Sequence, residues 1–249
     1  MSGWALITGA RRLGAHVARR AAQGGWNIVL HYHEAGEEAA DLVRELETAF
    51  GVHARSVETD LSTPENAHAL MAQARAGAGA PITALFNCAA IFEHDVADNV
   101  SADALMRHFA INAAAPILLT HAFAAQLEGA QGVVVNFLDY KLKQPYQDHF
   151  SYTISKFALA GATEMLARAL APSVRVNAVA PAYALPSPGQ SQEDFERQHA
   201  KTPLGYGVTG EDVAEAAIYL AEARAVTGQV LYVDAGQRFI ARDRDFAFS

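Results

Sequence analysis

The chain has 249 residues, of which 51% are hydrophobic, and it carries a net charge of −8 with a pI of about 5.6. This length and hydrophobic content favour one large α/β domain with a substantial core. The acidic balance excludes the basic face that nucleic acids or anionic membranes require, and the longest apolar runs look too short to span a bilayer.

Cys88 is the single cysteine of the chain, so an intramolecular disulfide is excluded and a cytoplasmic location is expected. The segment from Met1 to Trp4 leads straight into an apolar stretch without a charged region, so we expect no signal peptide. No repeat, low-complexity tract or linker divides the chain. We therefore predict a single domain over residues 1–249.

Short apolar segments predict seven strands, at 4–8, 27–31, 52–57, 82–87, 132–137, 175–179 and 229–233. Helical patterns lie between them, at 14–23, 37–50, 64–76, 102–113, 116–127, around Tyr152 and at 212–221. The run 132–137 is continuously apolar, as in a strand buried on both faces. This alternation predicts an α/β fold with a doubly wound parallel sheet, helices on both faces and right-handed crossovers.

The first strand leads into the turn Thr8-Gly9-Ala10-Arg11-Arg12-Leu13-Gly14 and then into a helix. Glycines at a strand-to-helix turn let the backbone approach a pyrophosphate, whose charge the helix N-terminus favours. Two glycines alone would fit an ordinary tight turn equally well. The position of the turn after the first strand favours the nucleotide-binding interpretation.

Tyr152 and Lys156 lie four residues apart in a helical segment, so both side chains can share one helix face. A phenol with an ordinary pKa near about 10 is a poor acid or base at neutral pH. A neighbouring ammonium favours the phenolate and brings the phenol closer to a working pKa. The pair alone would also fit two solvated side chains, and the remaining motifs decide between these interpretations.

Several motifs together resemble the short-chain dehydrogenase/reductase family over nearly the whole chain. They are Thr8-Gly9 with Gly14, Asp60-Leu61, Asn87-Cys88-Ala89-Ala90, Asn112, Tyr152 with Lys156, Pro181-Ala182 and Val233-Asp234-Ala235-Gly236. The resemblance implies a Rossmann-type sheet of seven strands in the order 3-2-1-4-5-6-7, a nicotinamide cofactor and a homotetramer. Two departures stand out: one residue fewer separates Gly9 from Gly14, and the usual NNAG is Asn87-Cys88-Ala89-Ala90.

The resemblance also implies roles for individual residues. Asp60 and Leu61 would flank the adenine, the Asn87 loop would line the ribose, and Lys156 would hold the nicotinamide ribose. Asn112 would position a water that links Lys156 to solvent. The full set of expected cofactor-binding residues is Gly9, Arg11, Arg12, Leu13, His31, Tyr32, His33, Asp60, Leu61, Asn87, Cys88, Ala89, Tyr152, Lys156, Pro181 and Ala182.

The residues after the second strand predict NADPH as the cofactor, with NADH the less favoured choice. An NAD-selective site needs a carboxylate near this strand end, where Tyr32 is neutral. Positive charge for a 2′-phosphate would come from Arg11, Arg12, His31 and His33. Glu34 opposes this interpretation, and the histidines are also compatible with ordinary surface positions.

Asp139 follows the fifth strand, where short-chain dehydrogenase/reductases place a serine. An ionised carboxylate is only an acceptor, so it suits a substrate with N–H donors, or it can supply a proton if its pKa is raised. A turn-capping aspartate is the alternative. The set of Asp139, Tyr152 and Lys156 resembles the catalytic residues of pteridine reductases and of dihydromonapterin- or dihydrofolate-reducing relatives. Two further segments resemble the glycine turn and the end of the second strand in the same enzymes, namely Arg12-Leu13-Gly14 and His31-Tyr32-His33.

This resemblance implies hydride transfer to a C=N bond of a pterin, with Asp139, Tyr152, Lys156 and Asn112 as catalytic residues. Substrate contacts are expected from Phe92, by stacking on the flat ring, and from Asp139, Tyr152 and Tyr183. A carbonyl reductase or alcohol dehydrogenase acting on an unrelated ketone, and a non-catalytic nucleotide-binding protein, are the alternatives. Residues 183–205 are expected to form a mobile substrate loop, and no metal site, nucleic acid or membrane partner is expected.

Overall fold

A computed structural model describes residues 3–186 and 191–245 of the chain. Seven parallel strands form one sheet in the order β3-β2-β1-β4-β5-β6-β7. The strands are β1 (Trp4–Thr8), β2 (Asn27–Tyr32), β3 (Ala54–Glu58), β4 (Ile82–Asn87), β5 (Gly132–Phe137), β6 (Val174–Pro181) and β7 (Val230–Val233). The predicted fold class and strand order are confirmed.

Eight α-helices accompany these strands in the described part of the chain. They are α1 (Leu13–Gln23), α2 (Gly36–Phe50), α3 (Asn66–Ala78), α4 (Ala102–Phe109), α5 (Ala115–Ala125), α6 (Phe150–Ala169), α7 (Gln192–His199) and α8 (Gly210–Glu222). Short 3₁₀ turns at Tyr140–Leu142 and Gln237–Phe239 flank the carboxyl edge of the sheet. These turns were not predicted from the sequence.

The sheet divides the buried apolar side chains into two layers because successive strand residues point to opposite faces. Ala5 and Ile7 of β1 pack with α1 and α8, whereas Trp4 and Leu6 pack with α3 and α5. All six residues of β5 are buried, as its continuous apolar pattern predicts. The core thus fixes the strand register, and with it the positions of the loops at the carboxyl edge.

Several helix boundaries differ from the prediction, and three differences have a local cause or change an element. Helix α3 begins at Asn66, because Pro64 stands in the preceding turn and its carbonyl accepts a bond from the Ala67 amide. Helices α4 and α5 form one continuous stretch, joined by a π-helical turn at Ala110–Ala114. Residues 192–199 of the predicted loop are helical, with the Ser191 hydroxyl capping the Asp194 amide.

The helical stretch Ala102–Ala125 is long and apolar enough to cross a membrane by length and composition, which corrects the expectation that every apolar run is too short. Half of its most apolar window is buried inside the fold. It packs against α3, α6 and β4, as a core helix does. The feature is therefore weak support for a membrane span.

Arg175 of β6 holds the carboxyl end of α8. Its guanidinium donates hydrogen bonds of 2.5–3.2 Å to the carbonyl oxygens of Leu220, Ala221, Ala223 and Val226. Carbonyl groups at a helix end lack partners within the helix and carry partial negative charge, so a cation stabilises them. One side chain thus links the sheet to the last helix.

We expect Arg175→Met to lower the free energy of unfolding by about 2 kcal/mol, because several carbonyls lose a charged donor at once. Urea unfolding followed by circular dichroism measures the change. Arg224→Met, at an exposed position in the same region, is the control and should change stability little. Equal effects of the two substitutions would contradict the assigned role of Arg175.

Candidate active site

A cavity of about 550 Å³ opens at the carboxyl ends of the strands, between the loops that follow β1, β4, β5 and β6. Strand order reverses between β1 and β4, which is where doubly wound sheets bind their ligands. Expected site residues that line the cavity are Gly9, Arg11, Arg12, Leu13, His31, Tyr32, His33, Asp60, Leu61, Cys88, Ala89, Phe92, Asp139, Tyr152, Lys156, Pro181, Ala182 and Tyr183. Asn87 and Asn112 lie behind its wall.

The shortened glycine turn closes tightly at the base of this cavity. Gly9 has a φ of +83°, and a β-carbon on Gly14 would fall 1.8 Å from the Gly9 carbonyl oxygen. A side chain at Gly14 is therefore sterically excluded. Arg12, the residue before α1, also adopts a positive φ of 53°, a conformation that non-glycine residues rarely take. The turn thus closes with one residue fewer between Gly9 and Gly14 because Arg12 adopts a strained backbone conformation.

His31 fixes the glycine turn instead of supplying the expected positive charge. The Gly9 amide lies 3.2 Å from His31 Nδ1, and His31 Nε2 lies 2.8 Å from the Thr59 carbonyl. Accepting at Nδ1 and donating at Nε2 requires the neutral ring. Burial lowers the pKa of His31, although the bond to Thr59 opposes this. His31 therefore holds the backbone of the glycine turn in place. Positive charge for a cofactor phosphate must come from neighbouring residues.

The rim above β2 carries both signs of charge. Arg11 forms an exposed ion pair with Glu38, and His33 lies 3.8 Å from the exposed Glu34. Tyr32 directs its hydroxyl towards Glu58, at 3.4 Å. Glu38 was not singled out from the sequence, since it looks like an ordinary residue of the first turn of α2. The Arg11–Glu38 pair places an exposed cation on the rim, where the sequence predicts the 2′-phosphate.

Asp60 lines the cavity after β3, whereas Asn87 at the end of β4 lies behind the cavity wall. The Asp60 carboxylate accepts bonds from the Ser62 amide and hydroxyl, which lower its pKa. Asn87 is buried and donates to Asn136 at 2.8 Å, while its own carbonyl oxygen has no partner. Asn136 in turn donates to Thr163 of α6. This chain of hydrogen bonds ties β4 and β5 to α6, the helix that carries Tyr152 and Lys156.

The hydroxyl of Tyr152 donates a hydrogen bond of 2.9 Å to Asp139 Oδ2. The other carboxylate oxygen of Asp139 accepts from the Lys141 amide at 2.9 Å, so Asp139 also caps the following 3₁₀ turn. Burial raises the pKa of Asp139, although the Lys141 charge opposes this. Burial together with the Asp139 carboxylate raises the pKa of Tyr152 well above its usual value. Burial therefore favours the protonated form of both groups.

Lys156 is buried beside this pair and donates a 2.7 Å hydrogen bond to the Phe137 carbonyl. Burial lowers its pKa to about 8, although the Asp139 and Cys88 side chains oppose the shift. The Lys156 ammonium lies 5.5 Å from the centroid of the Tyr152 ring. The expectation that Lys156 lowers the pKa of Tyr152 is not met in this structure, because burial and Asp139 outweigh its charge.

Asn112 stands in the π-helical turn and holds the segment that carries Phe92. Its amide group exchanges two hydrogen bonds with the Ile91 backbone, at 2.9 and 3.0 Å, and donates to Ser155 at 3.0 Å. Single π-helical turns are frequent at functional sites because they reorient one side chain inside a helix. Asn112 therefore positions the wall of the cavity, and its expected water-mediated link to Lys156 stays a prediction.

Phe92 lies on the substrate side of the cavity with 37% of its surface exposed. His149 stacks on one face of its ring, with centroids 3.8 Å apart, and Tyr152 meets it edge-on at 4.7 Å. His149 bonds to the Glu93 carbonyl at 2.9 Å, so its ring is held in place. His149 therefore covers one face of the Phe92 ring.

A polar wall of the cavity beyond Asp139 was not predicted from the sequence. Lys141 is only 2% exposed, its ammonium lies 3.3 Å from Asp245 and it sits 4.1 Å above the Tyr146 ring. The Tyr146 hydroxyl donates to Asp245 at 2.7 Å. Asp245 and Tyr146 line the cavity together with Asp139 and Tyr152. Lys141 could have been suspected as a site residue only because it follows Asp139 by two residues. Nothing in the sequence links Asp245 to the site.

A buried carboxylate fastens the C-terminal segment to this wall. Arg244 binds both oxygens of Asp148, at 2.9–3.2 Å, and the Asp245 amide donates to the same carboxylate at 2.7 Å. Although burial opposes ionisation, these bonds lower the pKa of Asp148 to about 2. His94 also lies 3.3 Å from Asp148. The charged Asp148 thus holds Asp245 at the cavity.

Tyr183 lines the cavity at the start of the predicted substrate loop, and its ring lies 5.5 Å from that of Phe195 in α7. Arg12 reaches this loop and donates to the Pro186 carbonyl at 2.9 Å. Residues 187–190 of the loop lie outside the described residues. In the described ranges 3–186 and 191–245, no three His, Cys, Asp or Glu side chains are placed to hold a metal ion.

A family model described as enoyl-(acyl carrier protein) reductase matches residues 9–238. The crystal structure of FolM alternative dihydrofolate reductase 1 from Brucella suis, in complex with NADP, superposes with a TM-score of 0.91. It is 34% identical and covers 96% of each chain.

Two curated relatives bear on the substrate. Pteridine reductase 1 from Leishmania tarentolae is 29% identical over 93% of this chain and 95% of its own length. The 3β-hydroxysteroid dehydrogenase 1 of Eggerthella lenta is 33% identical over 93% of this chain and 92% of its own. The matches span nearly the whole chain, with the fold and the Asp139–Tyr152–Lys156 constellation in place. The chain therefore belongs to the short-chain dehydrogenase/reductase family of oxidoreductases.

Proposed function

We propose that the chain is an NADPH-dependent reductase of pterins, converting a dihydropterin to the tetrahydro form. The observation that carries the proposal is the hydrogen bond from Tyr152 to Asp139 Oδ2, in a cavity that also holds Phe92. Similarity to a pteridine reductase and to an alternative dihydrofolate reductase supports it. Oxidised pterins and dihydrofolate belong to the same proposed substrate class.

The described residues fit a dinucleotide. The β-carbon that Gly14 lacks would collide with the Gly9 carbonyl, and a β-carbon on Gly9 would lie 3.3 Å from Ala89. Backbone can therefore approach the ligand closely where α1 begins, which suits a pyrophosphate. Asp60 and Leu61 would hold the adenine, Arg11 and His33 the 2′-phosphate, and Lys156 the nicotinamide ribose. NADP in the Brucella suis structure supports the choice of cofactor.

The bound cofactor supplies a hydride, so the protein must supply one proton to the substrate nitrogen. Asp139 and Tyr152 can do so in sequence, because the phenol gives its proton to the nitrogen as it takes the carboxyl proton of Asp139. Burial favours the protonated form of both groups. The Tyr152 hydroxyl donates to Asp139 across 2.9 Å, so the transfer requires this bond to reverse, with the carboxyl donating to the phenol oxygen. Water then restores the proton on Asp139.

The same geometry disfavours a ketone. A carbonyl oxygen needs donors, and ordinary members of the family provide a serine hydroxyl where this chain has Asp139. An Asp139 that has lost its proton would repel the oxygen and would also hold the hydroxyl proton of Tyr152. A pterin, in contrast, presents ring nitrogens that need a proton and an amino group that donates hydrogen bonds. The flat ring fits the face of Phe92 opposite His149.

Reduction of a ketone is the second candidate function. The observation that favours it is the similarity to a 3β-hydroxysteroid dehydrogenase, over nearly the whole chain. An assay of NADPH oxidation with dihydropterins, dihydrofolate, 3-ketosteroids and simple ketones separates the candidates. The proposal requires kcat/KM for a dihydropterin to exceed that for every ketone, and the reverse order would overturn it. Absence of turnover with every compound would favour a non-catalytic nucleotide-binding protein.

We also propose a homotetramer. Helices α4 and α6 expose an apolar face formed by Met106, Phe109, Ile154, Phe157 and Met165. A second apolar face lies at α8 and β7, with Tyr219, Leu231 and Phe239 exposed. Two separate faces of this kind suit an assembly with two different interfaces.

Tyr152→Phe should lower kcat by at least about 10²-fold, because the ring remains while the proton donor is lost. NADPH binding, measured by fluorescence titration, should be nearly unchanged. Tyr206→Phe removes an exposed hydroxyl from a residue outside the cavity lining and should retain full activity. A fully active Tyr152→Phe variant would remove Tyr152 from the mechanism.

Asp139→Asn should be slow and should lose the alkaline limb of the pH–rate profile. If Asp139 supplies the proton, only its protonated form is active, so the wild-type rate falls as pH rises through the raised pKa. Asparagine keeps the size but has no proton to lose over this range. Steady-state rates between pH 5 and 9 measure both effects. An Asp139→Asn variant with the wild-type rate and profile would leave Asp139 as a turn residue.

Cofactor choice should depend on the rim of β2. Arg11→Ala should weaken NADPH binding about tenfold and leave NADH binding nearly unchanged, since only NADPH carries the 2′-phosphate. Glu38→Gln should tighten NADPH binding, because it frees Arg11 from a competing carboxylate. Fluorescence titration with each cofactor measures these effects. Preference of the wild type for NADH would indicate that Glu34 contacts the ribose instead.

A further inference from the structure

The cavity wall that carries Asp139 also contains a buried ion pair, between Lys141 and Asp245, which takes no part in the proposed proton transfer. Lys141 follows Asp139 by two residues in the same 3₁₀ turn, and its amide donates to Asp139 Oδ1 at 2.9 Å. Its ammonium lies 3.3 Å from Asp245 Oδ2 and 3.4 Å from the Asp148 carbonyl. The cation is therefore fixed close to the carboxyl group that delivers the proton.

Building on the proposed function, we propose that Lys141, with its charge partner Asp245, is a positioning residue that sets the pH range over which Asp139 can deliver a proton. The Lys141 ammonium favours the ionised form of Asp139, and the Asp245 carboxylate offsets part of that effect. The C-terminal segment thereby tunes the site from outside the sheet.

Aromatic surfaces keep the Lys141 ammonium from water and make its charge effective. Tyr146 lies 4.1 Å from the ammonium and Phe92 lies 5.5 Å from it, measured to the ring centroids. Charges interact more strongly where water is excluded, because the local dielectric constant is low. A lysine that is 2% exposed can therefore influence its neighbours far more than a surface lysine would.

Asp245 owes its place to the Asp148–Arg244 clamp and not to the sheet. The Asp245 amide and the Arg244 guanidinium both donate to Asp148, whose side chain is fully buried. The Tyr146 hydroxyl adds a 2.7 Å bond to the Asp245 carboxylate. The negative charge is thus held at a defined distance from Lys141, as a tuning partner must be.

Other ionisable groups stand around Asp139, and the Asp245 charge acts on several of them as well, so the titration of Asp139 has to be followed directly in addition to the rate. These groups are Tyr140 on the 3₁₀ turn, Tyr146 in the loop before α6, His149 at the start of α6, Tyr152 and Lys156 within α6, Cys88 after β4, and Arg242 on the C-terminal segment.

The test compares two variants that should shift the alkaline limb of kcat/KM in opposite directions. Lys141→Met removes the cation but keeps the hydrogen bond from the backbone amide to Asp139, so the alkaline limb should shift to higher pH by about one pH unit. Asp245→Asn removes the carboxylate that offsets the cation, so the alkaline limb should shift to lower pH. Lys141→Arg keeps the charge and should retain the wild-type limb.

Lys143→Met is the matched control, since Lys143 is exposed and stands in the same loop. Its profile should equal that of the wild type. If single variants unfold, the double variant Lys141→Met with Asp245→Asn removes both charges together, and its limb should lie between those of the single variants. Shifts of the same sign, or no shift, in Lys141→Met and Asp245→Asn would overturn the proposal.

A second readout does not require turnover. Carboxyl ¹³C resonances of aspartate-labelled protein, with Asp139 assigned by its loss in Asp139→Asn, report the titration of Asp139 directly. The same opposite shifts should be seen in the absence of substrate. An enzyme that reduces no pterin yet shows these shifts would refute the proposed function alone. An active enzyme whose Asp139 titration is unchanged would refute the role of Lys141 alone.

Discussion

The candidate site depends on one hydrogen bond, from the Tyr152 hydroxyl to Asp139, which joins the end of β5 to helix α6. Parallel strands bring their carboxyl ends to one edge of the sheet, and the buried strand β5 cannot shift its register without exposing its core side chains. The chain of hydrogen bonds through Asn136 and Thr163 fixes α6 against the same strand. The core therefore sets the distance on which the proposed proton transfer depends.

A carboxylate in place of the family serine changes what the site can bind, because a charged acceptor replaces a neutral donor. Burial then decides the protonation state. The raised pKa of Asp139 and the raised pKa of Tyr152 both follow from removal of water around the pair. Lys156 would counter this through its charge, yet its own pKa falls to about 8 on burial. Burial thus favours the protonated forms of Asp139 and Tyr152, as delivery of a proton to a substrate requires.

Most of the fold followed from the sequence, since seven apolar segments and the spacing of the motifs already predict the sheet and its order. Boundaries were less certain where local signals compete. Pro64 suggested a helix start, but the chain makes another turn before α3. The Pro-, Gly- and Ser-rich composition around Ala184 suggested a loop, whereas Ser191 and Asp194 nucleate α7 by local hydrogen bonding.

The site was predictable where a residue type carries the chemistry and unpredictable where distant segments meet. Asp139 and Tyr152 stand in recognisable motifs, but the histidine after β2 could be read either as a charge or as a structural group. The structure shows His31 as a neutral ring because Gly9 and Thr59 occupy both nitrogens. Asp245 reaches the cavity only through the folded C-terminal segment, which no sequence pattern reveals.

The structure of a ternary complex with NADP⁺ and a dihydropterin tests the central claim most directly. The account predicts the pterin ring on the Phe92 face opposite His149, with a ring nitrogen within about 3.2 Å of the Tyr152 hydroxyl oxygen and Tyr152 still bonded to Asp139. A pterin bound elsewhere, or one that presents its carbonyl oxygen to Tyr152 with Asp139 turned away, would contradict it.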